Sequence, residues 1–299
     1  MPQGNRTLIW LLLGGGALVL VVVTLLAVIV SLGQDDGAGF GFSNQVQVVD
    51  LIGEIVDSRE VIQQLKRYED SNNVPAILLN IDSPGGGVAV SQELYTEVKR
   101  LREKKNKIIV AYMSSTGASG AYYVACAANK IIANPGTIVG SIGVIAEWIN
   151  YGELLEWAKL KDVVLKTGEF KDTGSSSRPL TDREKTYFQA LIDDMYVQFV
   201  EAVASGRNLE IQEVRALADG RVFTGRDAKE RKLVDEIGNF QDAIDTTAKL
   251  AGISGKPRLI QATRQRVTLL DVLTSDLSRI MPFQGKALTS QIRFQYLWK

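Results

Sequence analysis

Residues 8–32, LIWLLLGGGALVLVVVTLLAVIVSL, carry no charge and divide this 299-residue chain before any other feature does. A helix of this run, rising about 1.5 Å per residue, would be roughly 37 Å long, enough to cross a hydrocarbon core of about 30 Å with some tilt. The small-x-small triplet Ser31-Leu32-Gly33 suits a cleaved signal peptide, but the apolar part of such peptides spans only about 7 to 15 residues. Residues 8–32 are therefore expected to be a retained transmembrane anchor. Arg6 and the α-amino group precede the run, and Asp35 and Asp36 follow it. Positive charge stays inside, so residues 1–7 are expected in the cytoplasm and the body across the membrane. Residues 33–45, GQDDGAGFGFSNQ, read as a flexible linker leaving the bilayer.

The body has to do its chemistry without an imidazole, since the chain contains no histidine. That excludes a Ser-His-Asp triad, an HExxH zinc site and a His-ligated haem, so a hydrolase built here needs another base. One cysteine, Cys126, can form neither an intramolecular disulfide nor a CxxC site, and it reads as a small buried apolar side chain. Lys plus Arg and Asp plus Glu balance at 34 each, leaving no overall field to gather nucleic acid. No nucleic-acid partner is expected.

From Val46 onward, apolar runs at 46–51, 76–81, 107–112, 130–133 and 163–166 have the length and composition of strands. Helical patterns at 58–68 and 90–102 separate the first of them, which argues an α/β body with a mostly parallel sheet and flanking helices. Thr181-Asp182-Arg183-Glu184 is a capping box that opens a long helix to about Ser205. Shorter helices are expected near 211–218, 226–232 and 241–250. Residues 255–299, with Arg258, Arg264, Arg266, Arg279, Arg293 and Lys299, end in FQYLWK and read as a loosely ordered tail open to a partner or membrane contact.

Two glycine-rich turns follow strand-like runs. Asp82-Ser83-Pro84-Gly85-Gly86-Gly87 can turn its amides outward toward an anion or oxyanion, or can simply be a tight strand-to-helix turn. It is neither GxxxxGK[ST] nor GxGxxG, so nucleotide binding lacks its signature. The second, Gly117-Ala118-Ser119-Gly120-Ala121, resembles a nucleophile elbow with Ser119 opening a helix to Ala128. A serine there also suits a plain helix N-cap. If both turns lie at the carboxyl ends of neighbouring parallel strands, the amides of Gly86 and Gly120 can converge beside the Ser119 hydroxyl. The base would then be a lysine, which works at neutral pH only where burial disfavours its charged form. Lys166 and Lys171 both lie near the end of the last strand-like run, and position alone does not choose between them.

The motifs DSPGGG, TGASGAYYVA, NPGTIVGSIGV, KTGEFKD and DGRVFTGRDAKERKLVDEIG together resemble the bacterial signal peptide peptidase A (protease IV) family in its short, single-domain form. The resemblance covers about residues 46–250. It implies a Clp protease/crotonase-like fold over 46–254, with 255–299 as a C-terminal tail, and a Ser-Lys dyad. Carried over position by position, it makes Ser119 the nucleophile, Lys171 the general base, Ser141 the hydroxyl that orients the lysine, and Gly86 and Gly120 the oxyanion positions. Ala121 stands where the family often has glycine, a methyl group that bears only on substrate fit. The implied reaction is amide hydrolysis through an acyl-enzyme, with no metal and no cofactor. The implied substrates are remnant signal peptides and other extended apolar peptides, met by an enzyme anchored in the bacterial inner membrane. The family also implies a homo-oligomer, and in some members the dyad is completed across a protomer boundary. A mobile tail could then lie in a neighbouring groove and be trimmed there.

Three other functions fit parts of this pattern. A crotonase-like enzyme acting on acyl thioesters would use the paired amides and would not need Ser119 or Lys171. A non-catalytic scaffold would bind extended peptides or membrane proteases on the same fold. A related membrane Ser-Lys protease would differ mainly in acting on partners of stomatin-like proteins.

Overall fold

The computed structural model describes residues 23–24, 44–261 and 293–298. The described residues from Asn44 onward belong to one compact unit, separate from the one that holds Val23 and Thr24. The anchor expected at 8–32 and the linker at 33–45 lie outside the described residues, apart from Val23, Thr24, Asn44 and Gln45. Among the described residues no helix is long and apolar enough to cross a membrane.

Strand and helix alternate from the start of the body: β1 (Gln45–Ile52), α1 (Arg59–Lys66), β2 (Ala76–Ser83), β3 (Gly85–Gly87), α2 (Val88–Lys104), β4 (Ile108–Ala118), α3 (Gly120–Ala125) and β5 (Lys130–Ala133). Short strands β6 (Ile138–Gly140) and β7 (Ile145–Glu147), helix α4 (Gly152–Trp157) and a 3-10 turn (Glu169–Asp172) then lead to the long α5 (Asp182–Arg207). The chain continues through α6 (Ile211–Leu217), β8 (Val222–Thr224), α7 (Gly225–Glu230), β9 (Glu236–Ile237), α8 (Phe240–Leu250), β10 (Arg258–Gln261) and β11 (Arg293–Leu297). The main sheet runs β10-β1-β2-β4-β5-β9, with β6 pairing both β4 and β8. Every pair in it is parallel except β6 with β8. This is the α/β body with a mostly parallel sheet that the alternating pattern predicts.

Both faces of that sheet are covered, which is why its central strands read as continuous apolar runs rather than as alternation. Leu79, Ile81, Ile109, Ala111 and Met113 face one core, where α2, α3 and α5 contribute Leu94, Tyr122 and Phe199. Leu78, Val110, Tyr112 and Ile132 face the other, closed by Ile244 and Ala248 of α8. Alternation of period two survives as the choice of face. The capping box forms as expected: Thr181 Oγ1 accepts from the Glu184 amide at 3.3 Å, and Glu184 Oε2 accepts from the Thr181 amide at 2.8 Å.

Two expectations are corrected. Residues 163–166 form no strand. Among the described residues no strand pairs with them to complete a ladder, and Val163 and Leu165 stand 81% and 96% exposed. The segment 255–299 also contributes to the body. Arg258–Gln261 pairs parallel with β1, and Arg293–Leu297 enters a second, antiparallel sheet of order β3-β11-β7.

Cys126 is buried in the main core, as its lone position suggested, and desolvation pushes its thiol up to about 12. A group raised that far stays neutral at pH 8, and the thiolate is the reactive form. Cys126 is therefore expected to resist an aromatic disulfide reagent at pH 8 and to react only as fast as the protein unfolds. The absorbance of the released thiol measures this, and rapid stoichiometric labelling of folded protein would contradict the burial.

Candidate active site

The parallel pairing of β2 with β4 brings the two glycine turns together. Its register ends at Ser83 against Gly117, so both strands deliver their following turns to one edge of the sheet, where ligands bind in open α/β sheets. The first turn is held by its own backbone. Ser83 Oγ accepts from the Gly85 amide at 3.1 Å, Ile55 donates to the Gly85 carbonyl at 2.8 Å, and Gly87 donates to the Ile55 carbonyl at 2.9 Å. Gly85 sits at φ +98°, where a side chain is strained, and a Cβ on Gly86 would meet the Ile55 carbonyl oxygen at 2.1 Å. With Ile55 closing one edge of this strand, the other edge pairs with β11.

The second turn is strained in the manner that a nucleophile elbow requires. Ser119 is buried and adopts φ 53°, ψ −121°, a combination that non-glycine residues avoid. Its amide donates to the Gly140 carbonyl at 2.7 Å, and its carbonyl accepts from the Tyr123 amide at 2.9 Å, so both sides of the turn are pinned. It occupies the N-cap position of α3, yet its side chain makes no capping bond and its φ/ψ is not that of a cap. The N-cap alternative therefore fails on geometry. A Cβ on Gly120 would lie 2.4 Å from Ser91 Oγ and 3.2 Å from the Gly86 amide nitrogen, so the two glycine turns are in van der Waals contact.

Ser141 follows β6 and also has positive φ, at 50°, with its amide donating to the Arg221 carbonyl at 2.8 Å. Ser119 and Ser141 line the same cleft of about 540 Å³, together with Val144, Ile145, Ile192, Tyr196 and Trp298 among others. Lys171 is not part of that lining. It lies exposed in the 3-10 turn Glu169–Asp172. Lys166 is no closer to serving, because its ammonium pairs with Asp172 and donates to the Glu169 carbonyl at 3.0 Å.

The turn that carries Lys171 is nevertheless fixed in place. Asp172, the next residue, pairs with Arg178 at 2.9 Å, and Arg178 pairs with the buried carboxylate of Glu184 at 2.6 Å. Hydrogen bonds from Arg178, then from Lys166, pull Asp172 down to about 2, and Arg178 holds Glu184 well below the usual carboxylate range. Both folded values lie below the unfolded ones, so this clamp is intact above the ordinary carboxylate range and is lost as pH falls through the depressed values.

The chain belongs to peptidase family S49, a family of proteases, whose model matches residues 101–254. Among similar proteins, one from Synechocystis provisionally named as a protease, slr0021, is 47% identical over 195 residues, covering 65% of this chain and 69% of that one. An Enterococcus faecium protein provisionally named as signal peptide peptidase SppA is 38% identical, covering 63% of this chain and 54% of its own. The chloroplastic serine protease SPPA of Arabidopsis thaliana is 32% identical over 74% of this chain and 33% of that longer one. The chain thus spans from a third to about two thirds of the length of these relatives.

Sequence reasoning missed three participants. Ile55 lends only backbone and has no sequence signal. Ser91, one turn into α2, donates to the Gly87 carbonyl at 2.9 Å and walls in Gly120. The third is Tyr296, whose carbonyl oxygen lies 3.1 Å from where a Cβ on Gly120 would stand. The contact between Ser91 and Gly120 can be measured. Gly120→Ala is expected to destabilise by about 1–3 kcal/mol through overpacking. Combining it with Ser91→Ala is expected to recover part of that loss, a coupling of about 0.5–3 kcal/mol in a denaturation cycle. Strict additivity would show that the two positions do not touch.

Proposed function

We propose that this chain is a membrane-anchored serine endopeptidase in which Ser119 is the nucleophile and Lys171 the general base, and that it degrades remnant signal peptides after their release from preproteins. The observation that carries this reading is the strained Ser119, which makes no capping bond and is followed by a glycine whose Cβ position lies 3.2 Å from the Gly86 amide nitrogen, at the carboxyl ends of two neighbouring parallel strands. Ser119 attacks the scissile carbonyl while the neutral lysine amine takes its proton. The amides of Gly86 and Gly120 receive the developing oxyanion, and such preorganised donors are worth about 3–4 kcal/mol each. The lysine then returns the proton to the leaving amine and activates water for deacylation. Ser141, in the same cleft, orients the amine. The apolar run at 8–32 holds the catalytic body beside the bilayer, on the extracytoplasmic face of a bacterial inner membrane, where such peptides are left.

The exposed position of Lys171 supports completion of the dyad by a second copy. A base at neutral pH needs a desolvated amine, and the stretch leading to Lys171 exposes Ile149, Leu154, Trp157, Leu160, Val163 and Leu165. Such a run of apolar side chains is characteristic of a covered interface. An adjoining copy would bury it and bring its own Lys171 to this chain's Ser119 cleft.

Ser119→Ala and Lys171→Ala are each expected to lower kcat/KM for a fluorogenic apolar peptide by roughly three orders of magnitude or more. Mixing the two inactive variants, with exchange of subunits, is expected to restore activity, because some boundaries then pair an intact serine with an intact lysine. Full activity in either single variant would overturn the assignment, and silence in the mixture would place the dyad within one chain.

A further inference from the structure

The two glycine turns are joined by a side chain that belongs to neither. Ser91 lies on α2, one helical turn beyond Gly87, and is fully buried. Its hydroxyl donates to the Gly87 carbonyl at 2.9 Å, at the end of the first glycine turn. The same oxygen stands 2.4 Å from the point that a Cβ on Gly120 would occupy. With a Cα–C bond of about 1.5 Å, that oxygen is no farther than about 3.9 Å from Gly120 Cα. One hydroxyl is thus bonded to the strand that carries the Gly86 amide and packed against the residue that carries the Gly120 amide.

The bond by itself is commonplace. Thr96, Thr186 and Thr247 each donate to the carbonyl four residues back, at 2.8, 2.9 and 2.6 Å, a habit of hydroxyl side chains in helices. Thr96 and Thr186 make it on exposed helix surfaces. Thr247 is as buried as Ser91, but it lies on α8, which closes the other face of the sheet. What sets Ser91 apart is the second glycine turn beyond its oxygen. The remaining bonds of the first turn, to Ser83 and Ile55, fix its shape.

We infer that Ser91 is a positioning residue for the oxyanion site, its hydroxyl being the spacer that holds the Gly86 and Gly120 amides at the separation at which both meet one oxygen. The inference rests on Ser119 being the nucleophile, as proposed above. Two donors serve one oxyanion only if each lies about 2.7–3.1 Å from it, so their separation has little latitude. The gap between the turns takes a hydroxyl and no more, since a methyl group on Gly120 would overlap the Ser91 oxygen. Removing that hydroxyl opens the gap and breaks the bond to the Gly87 carbonyl. Ser91 acts through the two amides and not on the substrate. Its loss therefore falls on the transition state, where the oxygen is charged, and spares the bound peptide.

The test compares the full chain in detergent with its Ser91→Ala and Thr247→Val variants, with Ser119→Ala as the blank. Rates are scaled to the fraction of molecules that a serine-directed phosphonate labels at completion, which removes any misfolded share. A fluorogenic apolar peptide gives kcat and KM, and the matching peptide aldehyde reports on the oxyanion site. Ser119 Oγ adds to the aldehyde carbon, the serine proton passes to the base, and the former carbonyl oxygen becomes the oxyanion. In Ser91→Ala, kcat is expected to fall about tenfold or more, short of the roughly 10²–10³ for a whole donor, with KM within about twofold. The aldehyde is expected to bind more weakly by the same factor. Thr247→Val loses the same kind of bond and is expected to keep the parent's kcat. A kcat for Ser91→Ala within about twofold of the parent, a loss carried by KM, or an equal loss in Thr247→Val would overturn the inference and leave the protease reading standing. Absence of any Ser119-dependent hydrolysis in the parent would overturn both.

Discussion

The parallel pairing of β2 with β4 carries the site, because it delivers two glycine turns to one end of the sheet. Neither turn is functional by itself. The Gly85–Gly87 strand needs Ile55 to close one of its edges, and the Ser119 turn needs the Gly140 carbonyl to hold its amide. Strain at φ 53° persists only where the surroundings over-determine it. Here they do so through a 2.7 Å bond on one side of the turn and the first turn of α3 on the other. The glycines follow from the same crowding, since a methyl group on Gly86 would strike Ile55 and one on Gly120 would strike Ser91.

An elbow aimed into a cleft leaves open how the hydroxyl is activated, and the absence of histidine narrows the choice to an amine. The fold of a single chain leaves Lys171 in solvent while tying its neighbour Asp172 to Arg178 and Glu184. A firmly held turn that presents a lysine next to exposed apolar side chains makes physical sense as half of an interface. Desolvation would then come from the second half, and the proposed catalysis would depend on assembly. Such coupling would keep an unassembled protease inactive.

The antiparallel sheet β3-β11-β7 belongs to the same logic. Strand edges left unpaired invite another strand, and recognition by edge addition uses backbone bonds for affinity and pockets for specificity. β3 and β7 each present such an edge, and β11 takes up both.

Much of this was legible beforehand. The alternation of apolar runs and helical patterns gave the parallel α/β body, and the strand at 130–133 and the box at Thr181 fall where the sequence places them. Strands of two or three residues such as β7 and β9 were not legible, because so short a run has no period to read. The apolar stretch at 163–166 misled for the converse reason, having strand composition without a partner. At the site, Ser119, Gly86, Gly120 and Ser141 could be marked from turn chemistry and motif. Ser91, Ile55 and Tyr296 could not, since their part depends on contacts between segments far apart in the chain. The sequence by itself determined the chemistry on offer: no imidazole, a serine after a strand, glycines where backbone must approach backbone, and a choice of lysines. Tertiary structure alone decided that Ser119 is strained rather than capping, that Lys171 stays outside its own chain's cleft, and that Tyr296 sits opposite Gly86. Those are distances and dihedral angles set by packing, and no local pattern encodes them.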